Sequence, residues 1–130
     1  MSSFLLLVHS SNYANQSSRS AAKYAEAVIS RGHTVKAIFF YQQGVEHANA
    51  LSLVPRDELD NSPSFKSLNQ QYNIPLLLCV TAAEKRGIIN AEQAHNEVLE
   101  HHNIDDTYTI AGLAEMAAIA AECHHVVQFK

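Results

Sequence analysis

The sequence predicts an α/β fold, a three-layer α/β/α sandwich around a mainly parallel sheet of about five strands. Two observations carry that expectation. Short apolar runs, too brief for helices, alternate with stretches of helical periodicity. Those runs are apolar throughout, as strands covered on both faces are. At 130 residues, 47% hydrophobic and 17% charged, the chain has the size and composition of a single domain spanning residues 1–130.

Ser3 to Val8 is the first predicted strand, followed by the polar loop HSSNYANQSSRS. From Ala21, the residues Ala21, Tyr24, Ala25, Val28 and Ile29 recur at helical spacing, and Gly32 stands where a left-handed residue ends a helix. Thr34 to Phe40, rich in β-branched and aromatic residues, is the second strand. A short helix is expected around Val45 to Leu51, then a loop through Pro55 and Asp60. Ser62 and Pro63 read as an N-cap and first helical residue, with Phe65, Leu68 and Tyr72 on one face behind them.

Pro75 to Val80 is the third strand. Thr81 and Glu84 have capping-box spacing, so a helix is expected to start at Thr81 and stop near Gly87. Asn90 and Gln93 repeat the device, and Ala91, Ala94, Val98, Leu99 and His102 then share a helical face. Thr107 to Ile110 reads as a brief strand and Val126 to Phe129 as the last. Between them, Leu113, Met116, Ala117, Ala120 and Cys123 mark a helix with a core-facing stripe.

The formal charge of −4, from 9 basic and 13 acidic residues scattered along the chain, leaves no electrostatic footprint for direct nucleic-acid binding. The longest apolar run near the start, Phe4 to Val8, is too short for a membrane span or a signal sequence, so the chain reads as cytoplasmic with no membrane partner.

Two cysteines, Cys79 and Cys123, lie far apart and form no CxxC pair. Cys79 stands at the carboxyl end of a strand and just before a helix. In parallel α/β sheets chemistry collects there, and unpaired N–H groups favour an anion by about 0.3–1 kcal/mol. Free cysteine is equally at home in a core, so packing and nucleophilic chemistry both stand open for Cys79. Cys123 continues the Met116 and Ala120 face and reads as core packing. The eight histidines include two adjacent pairs, but neither HExxH nor paired CxxC accompanies them, and no metal is expected. The first loop follows a strand as phosphate-binding loops do, yet it lacks their glycines. It reads as a polar wall beside the strand ends, with a flavin or other phosphate ligand as the alternative.

FFYQQGVEHAN (Phe39 to Asn49), LLLCVTAAEKRGI (Leu76 to Ile88), YTIAGLAEM (Tyr108 to Met116) and HHVVQF (His124 to Phe129) together resemble the DsrE family, most closely its TusD branch. The resemblance runs in order over nearly the whole chain. It implies a DsrE-like domain acting as a sulfurtransferase. Cys79 would accept sulfane sulfur from an upstream donor as a persulfide and pass it to a downstream TusE-like acceptor, toward 2-thiolation of the tRNA wobble uridine. It further implies TusB-like and TusC-like subunits in a heterohexamer, and no cofactor. Thr81, at the expected helix start, and Tyr13, in the first loop, are the supporting site residues. Family members carry glycines around a tyrosine in that loop, whereas this chain has SSNYAN, Ser10 to Asn15. Rival readings are a DsrE-type carrier in dissimilatory sulfur oxidation, a non-catalytic assembly subunit, and the flavin module.

Overall fold

A computed structural model describes all residues, 1–130. Its five strands are β1 (Ser3–Val8), β2 (Thr34–Phe40), β3 (Leu76–Cys79), β4 (Tyr108–Ala111) and β5 (His125–Phe129). They form one sheet in the order β4-β3-β2-β1-β5, and every pairing is parallel. The helices are α1 (Ser17–Ser30), α2 (Ser62–Tyr72), α3 (Val80–Lys85), α4 (Ala91–Asn96) and α5 (Leu113–Glu122), with a 3-10 segment at Gln42–Ala48. No helix is long and apolar enough to cross a membrane.

The core is built on β1, β2 and β3, whose Leu5, Leu6, Val8, Ile38, Phe39, Phe40, Leu76 and Leu78 are buried. Phe65 of α2 meets Phe40 edge to face, with ring centroids 5.1 Å apart. Strands β1 to β4 step across the sheet in one direction, and the chain then returns past all of them to place β5 beside β1. Right-handed crossovers therefore put α1 to α4 on one face and α5 on the other. Observed packing agrees: α1 lies against α2 as well as β1, β2 and β5, while α5 lies against β1 and β2.

Several local expectations are corrected. The first helix begins at Ser17, ahead of Ala21, and the Asn15 carboxamide oxygen accepts from the Ser17 N–H. The segment expected at Val45 to Leu51 is the 3-10 segment, drawn forward to Gln42. At α2 the cap position is Asn61, with Ser62 already helical and bonded to the Asp60 carboxylate; Tyr72 is largely exposed, although Phe65 and Leu68 are buried. Helix α4 stops at Asn96, so Val98, Leu99 and His102 do not extend its buried face. The stop is a left-handed residue, Val98 with φ 56°, beyond which the Leu99 N–H donates to the Ala94 carbonyl at 2.8 Å. No glycine marks it, which is why periodicity reads through it.

The stripe on α5 is the expected core face only in part: Met116, Ala120 and Cys123 pack against the core. None of its residues is buried: Leu113 and Ala117 are exposed, while Met116, Ala120 and the adjoining Cys123 are half-buried. A single helix covers that side of a five-stranded sheet, with no neighbouring helix to close over its flanks.

Candidate functional site

In a parallel sheet, residues that directly follow each apolar run gather along one edge, however far apart they lie in sequence. Here that edge brings together Tyr41 and Gln42 after β2, Cys79 at the end of β3, and Leu113 after β4. Cys79 pairs with Ala111 at the last position of the β3–β4 ladder. Beyond that pair the chain leaves β3 for α3 on one face and β4 for α5 on the other. This divergence is the topological switch point at which open α/β sheets form a crevice.

A depression of about 390 Å³ occupies the crevice, lined by Tyr41, Gln42, Cys79, Thr81, Lys85 and Leu113 among others. Arg86 also lines it, and its guanidinium donates to the Ala82 carbonyl at 3.0 Å. Neither Lys85 nor Arg86 pairs with a carboxylate, and no acidic side chain lines the depression. Its electrostatics thus suit an anionic group, on a chain whose net charge is −4. Cys79 itself is only 2% exposed, so its sulfur lies at the floor rather than on the rim. Tyr41 and Leu113 are shared with an apolar groove of about 420 Å³ that also holds Leu7, Phe39 and Met116.

The capping box expected at Thr81 is absent. Strand β3 runs into α3 without a connecting residue, so Cys79 takes the N-cap position and Thr81 lies inside the first turn. The Glu84 carboxylate, freed from that duty, accepts from the Gln93 side-chain amide at 3.1 Å. By contrast, the Asn90 and Gln93 box is complete, each side chain accepting from the other residue's N–H at 2.8 Å.

The residue-matching family model, described as the DsrE/DsrF-like family, spans residues 2–129. The chain belongs to the DsrE/DsrF-like family. It is 40% identical over 124 residues to the "Sulfurtransferase TusD homolog" of Aliivibrio fischeri, covering 95% of each chain. It is 36% identical over 126 residues to the "Sulfurtransferase TusD" of Klebsiella pneumoniae, covering 97% of this chain and 98% of that one. The fold is similar to the crystal structure of the ychN protein from E. coli, with a TM-score of 0.76 at 19% identity over 99% of this chain and 100% of that one.

Within this DsrE/DsrF-like domain the sites expected from sequence do not all converge. Thr81 shares the depression with Cys79. Tyr13 does not: it lines a separate hollow with Leu53, Pro55 and Glu58. Cys123 caps α5 at the opposite, amino-terminal edge of the sheet, so the two thiols are held apart. Burial pushes the Cys123 thiol up, against the opposing pull of Lys36 and a hydrogen bond with Ser3. No group of three or more His, Cys, Asp or Glu side chains is arranged to hold a metal.

The first loop forms the expected polar wall only in part, His9, Ser10 and Asn15 lining a polar cavity beside the strand ends. Ser10, Ser11 and Asn12 are buried. Asn12 donates to the Asp60 carboxylate at 2.9 Å, the Ser18 hydroxyl to the Ser11 carbonyl at 3.2 Å, and the Asn61 amide to the Ser18 hydroxyl at 2.8 Å. Burial raises the Asp60 carboxyl, but bonds from Asn12 and Ser62 outweigh it and hold the group below the usual carboxylate range. His47 completes the cluster at 3.1 Å from the Ser10 carbonyl, and burial lowers its pKa to about 4.

Tyr41, Gln42 and Leu113 were not expected from sequence to be site residues. Their common signal is place: each follows an apolar strand within two residues, as the residues of a parallel sheet's carboxyl edge do.

Proposed function

We propose that the protein is a sulfurtransferase that carries sulfane sulfur as a persulfide on Cys79. The observation that carries the reading is an unpaired cysteine at the floor of the switch-point depression, which Lys85 and Arg86 also line, in a chain 36–40% identical to proteins named sulfurtransferase TusD. Transfer is thiol exchange. The Cys79 thiolate attacks the outer sulfur of a donor persulfide, the donor's S–S bond breaks, and its electron pair leaves with the donor cysteine as a thiolate. A downstream acceptor thiolate repeats the exchange on the Cys79 persulfide and regenerates the Cys79 thiolate. No external oxidant or reductant enters.

Cys123 lies at the far edge of the sheet, so it is not placed to resolve the persulfide into a disulfide. A downstream TusE-like carrier and 2-thiolation of the tRNA wobble uridine as the destination are part of this reading, as the resemblance to the TusD branch implies. The same resemblance implies TusB-like and TusC-like partners in a heterohexamer. The unburied apolar side of α5 and the groove beside it offer such partners surface to cover.

The near-complete burial of Cys79 favours a second reading, a non-catalytic assembly subunit whose cysteine only packs. Loading with a persulfide donor, followed by intact mass, separates the two. Sulfur transfer predicts one added sulfur on wild type and on Cys123→Ser, and none on Cys79→Ser. An assembly subunit predicts no difference among the three.

A further inference from the structure

We propose that Gln42 is the positioning residue for sulfur transfer at Cys79, an inference that rests on the sulfurtransferase reading above. Gln42 has φ 52°, in the left-handed region that favours glycine or asparagine. It is the first central residue of a turn closed by the Gly44 N–H donating to the Tyr41 carbonyl at 2.9 Å. The turn has no room to relax. The Tyr41 N–H donates to the Val8 carbonyl at 3.0 Å, and Gly44 lies so close to that carbonyl that a Cβ would collide with it.

A glutamine kept in an unfavourable backbone at an exposed position directs attention to its side chain. The Gln42 carboxamide oxygen lies 3.3 Å from His9 Nδ1. A carboxamide oxygen only accepts, so His9 donates from Nδ1 and anchors that end of the group. The two amide N–H donors remain without a partner in the chain. Gln42 lines the Cys79 depression and equally the polar cavity of about 500 Å³ formed with His9, Ser10, Gln128 and Lys130. It is therefore the one residue that lines both.

Donors at that place hydrogen-bond the outer sulfur of the donor persulfide as it passes to Cys79 and fix its direction toward the Cys79 thiolate. Gln42 makes and breaks no covalent bond. Its contribution is orientation of an anion, so it acts on the rate of transfer rather than on capture of the donor.

The test follows sulfur loading of full-length protein by intact mass at increasing glutathione persulfide, for wild type, Gln42→Glu and Gln42→Gly. Gln42→Glu keeps shape and backbone but replaces the donors with a carboxylate. Its saturating loading rate is expected to fall about tenfold or more, with the half-saturating donor concentration within about threefold of wild type. Gln42→Gly is expected to lose rate similarly while melting higher by about 3 °C, because glycine relieves the backbone. Wild-type loading rates in both variants overturn the proposal while leaving sulfur transfer by Cys79 intact. Failure of wild type to acquire sulfur on Cys79 overturns the sulfurtransferase reading, and this inference with it.

Discussion

Cys79 and Ala111 are cross-strand partners at the final rung of the β3–β4 ladder, immediately before the two strands send their helices to opposite faces of the sheet. Directly paired residues of adjacent strands stand about 4.8 Å apart and share a face. The small, buried side chain of Ala111 therefore packs beside the thiol. Replacing it with leucine is expected to slow persulfide loading at Cys79 by about tenfold and to destabilise by about 1–3 kcal/mol through overpacking. Urea unfolding alongside timed loading checks both, and an unchanged loading rate in a folded variant removes Ala111 from the argument.

Gly44 is fixed by close approach. A methyl group there meets the carbonyl of Val8, which is backbone and already accepts from Tyr41. Gly44→Ala is expected to cost about 3 kcal/mol or more. Circular dichroism melting of this variant reads the loss directly, and a melt within two or three degrees of wild type contradicts the geometry.

His47 makes stability pH-dependent. Its folded pKa is lowered from 6.5 to about 4, chiefly by burial, so the unfolded chain takes up a proton that the folded chain refuses. The stabilising difference is fully present above about pH 6.5, shrinks as pH falls, and is exhausted near pH 4. Its full size is on the order of 3 kcal/mol. In urea titrations at pH 7, 5.5 and 4.5, His47→Gln is expected to show a flatter decline than wild type. Parallel declines rule out this histidine as the source.

Val98 is a β-branched residue in a left-handed conformation with 90% of its surface exposed. Such a side chain contributes little packing and strains the backbone. Val98→Gly is expected to stabilise by about 1 kcal/mol. Thermal unfolding of the variant measures it, and a lowered midpoint shows that Val98 holds something beyond the helix stop.

These positions show which features sequence carries. The strands of the core were legible because apolar runs report burial on both faces, and Gly32 and Gly87 marked helix ends through their positive φ. The end of α4 was hidden because Val98 occupies the position that glycine usually marks. Thr81 and Glu84 had the spacing of a capping box, yet β3 enters α3 so abruptly that Cys79 took the cap position first.

From sequence alone came the fold class, the strand order along the chain, the family resemblance and Cys79 as the candidate nucleophile, because periodicity and motif spacing are local properties of the chain. Tertiary structure alone decided that Gln42, Lys85, Arg86 and Leu113 surround that cysteine, that Tyr13 lies elsewhere, and that α5 remains unburied. The reason is geometric. A parallel sheet gathers strand ends separated by dozens of residues along one edge, and the side of the sheet on which each helix returns determines which of those ends meet.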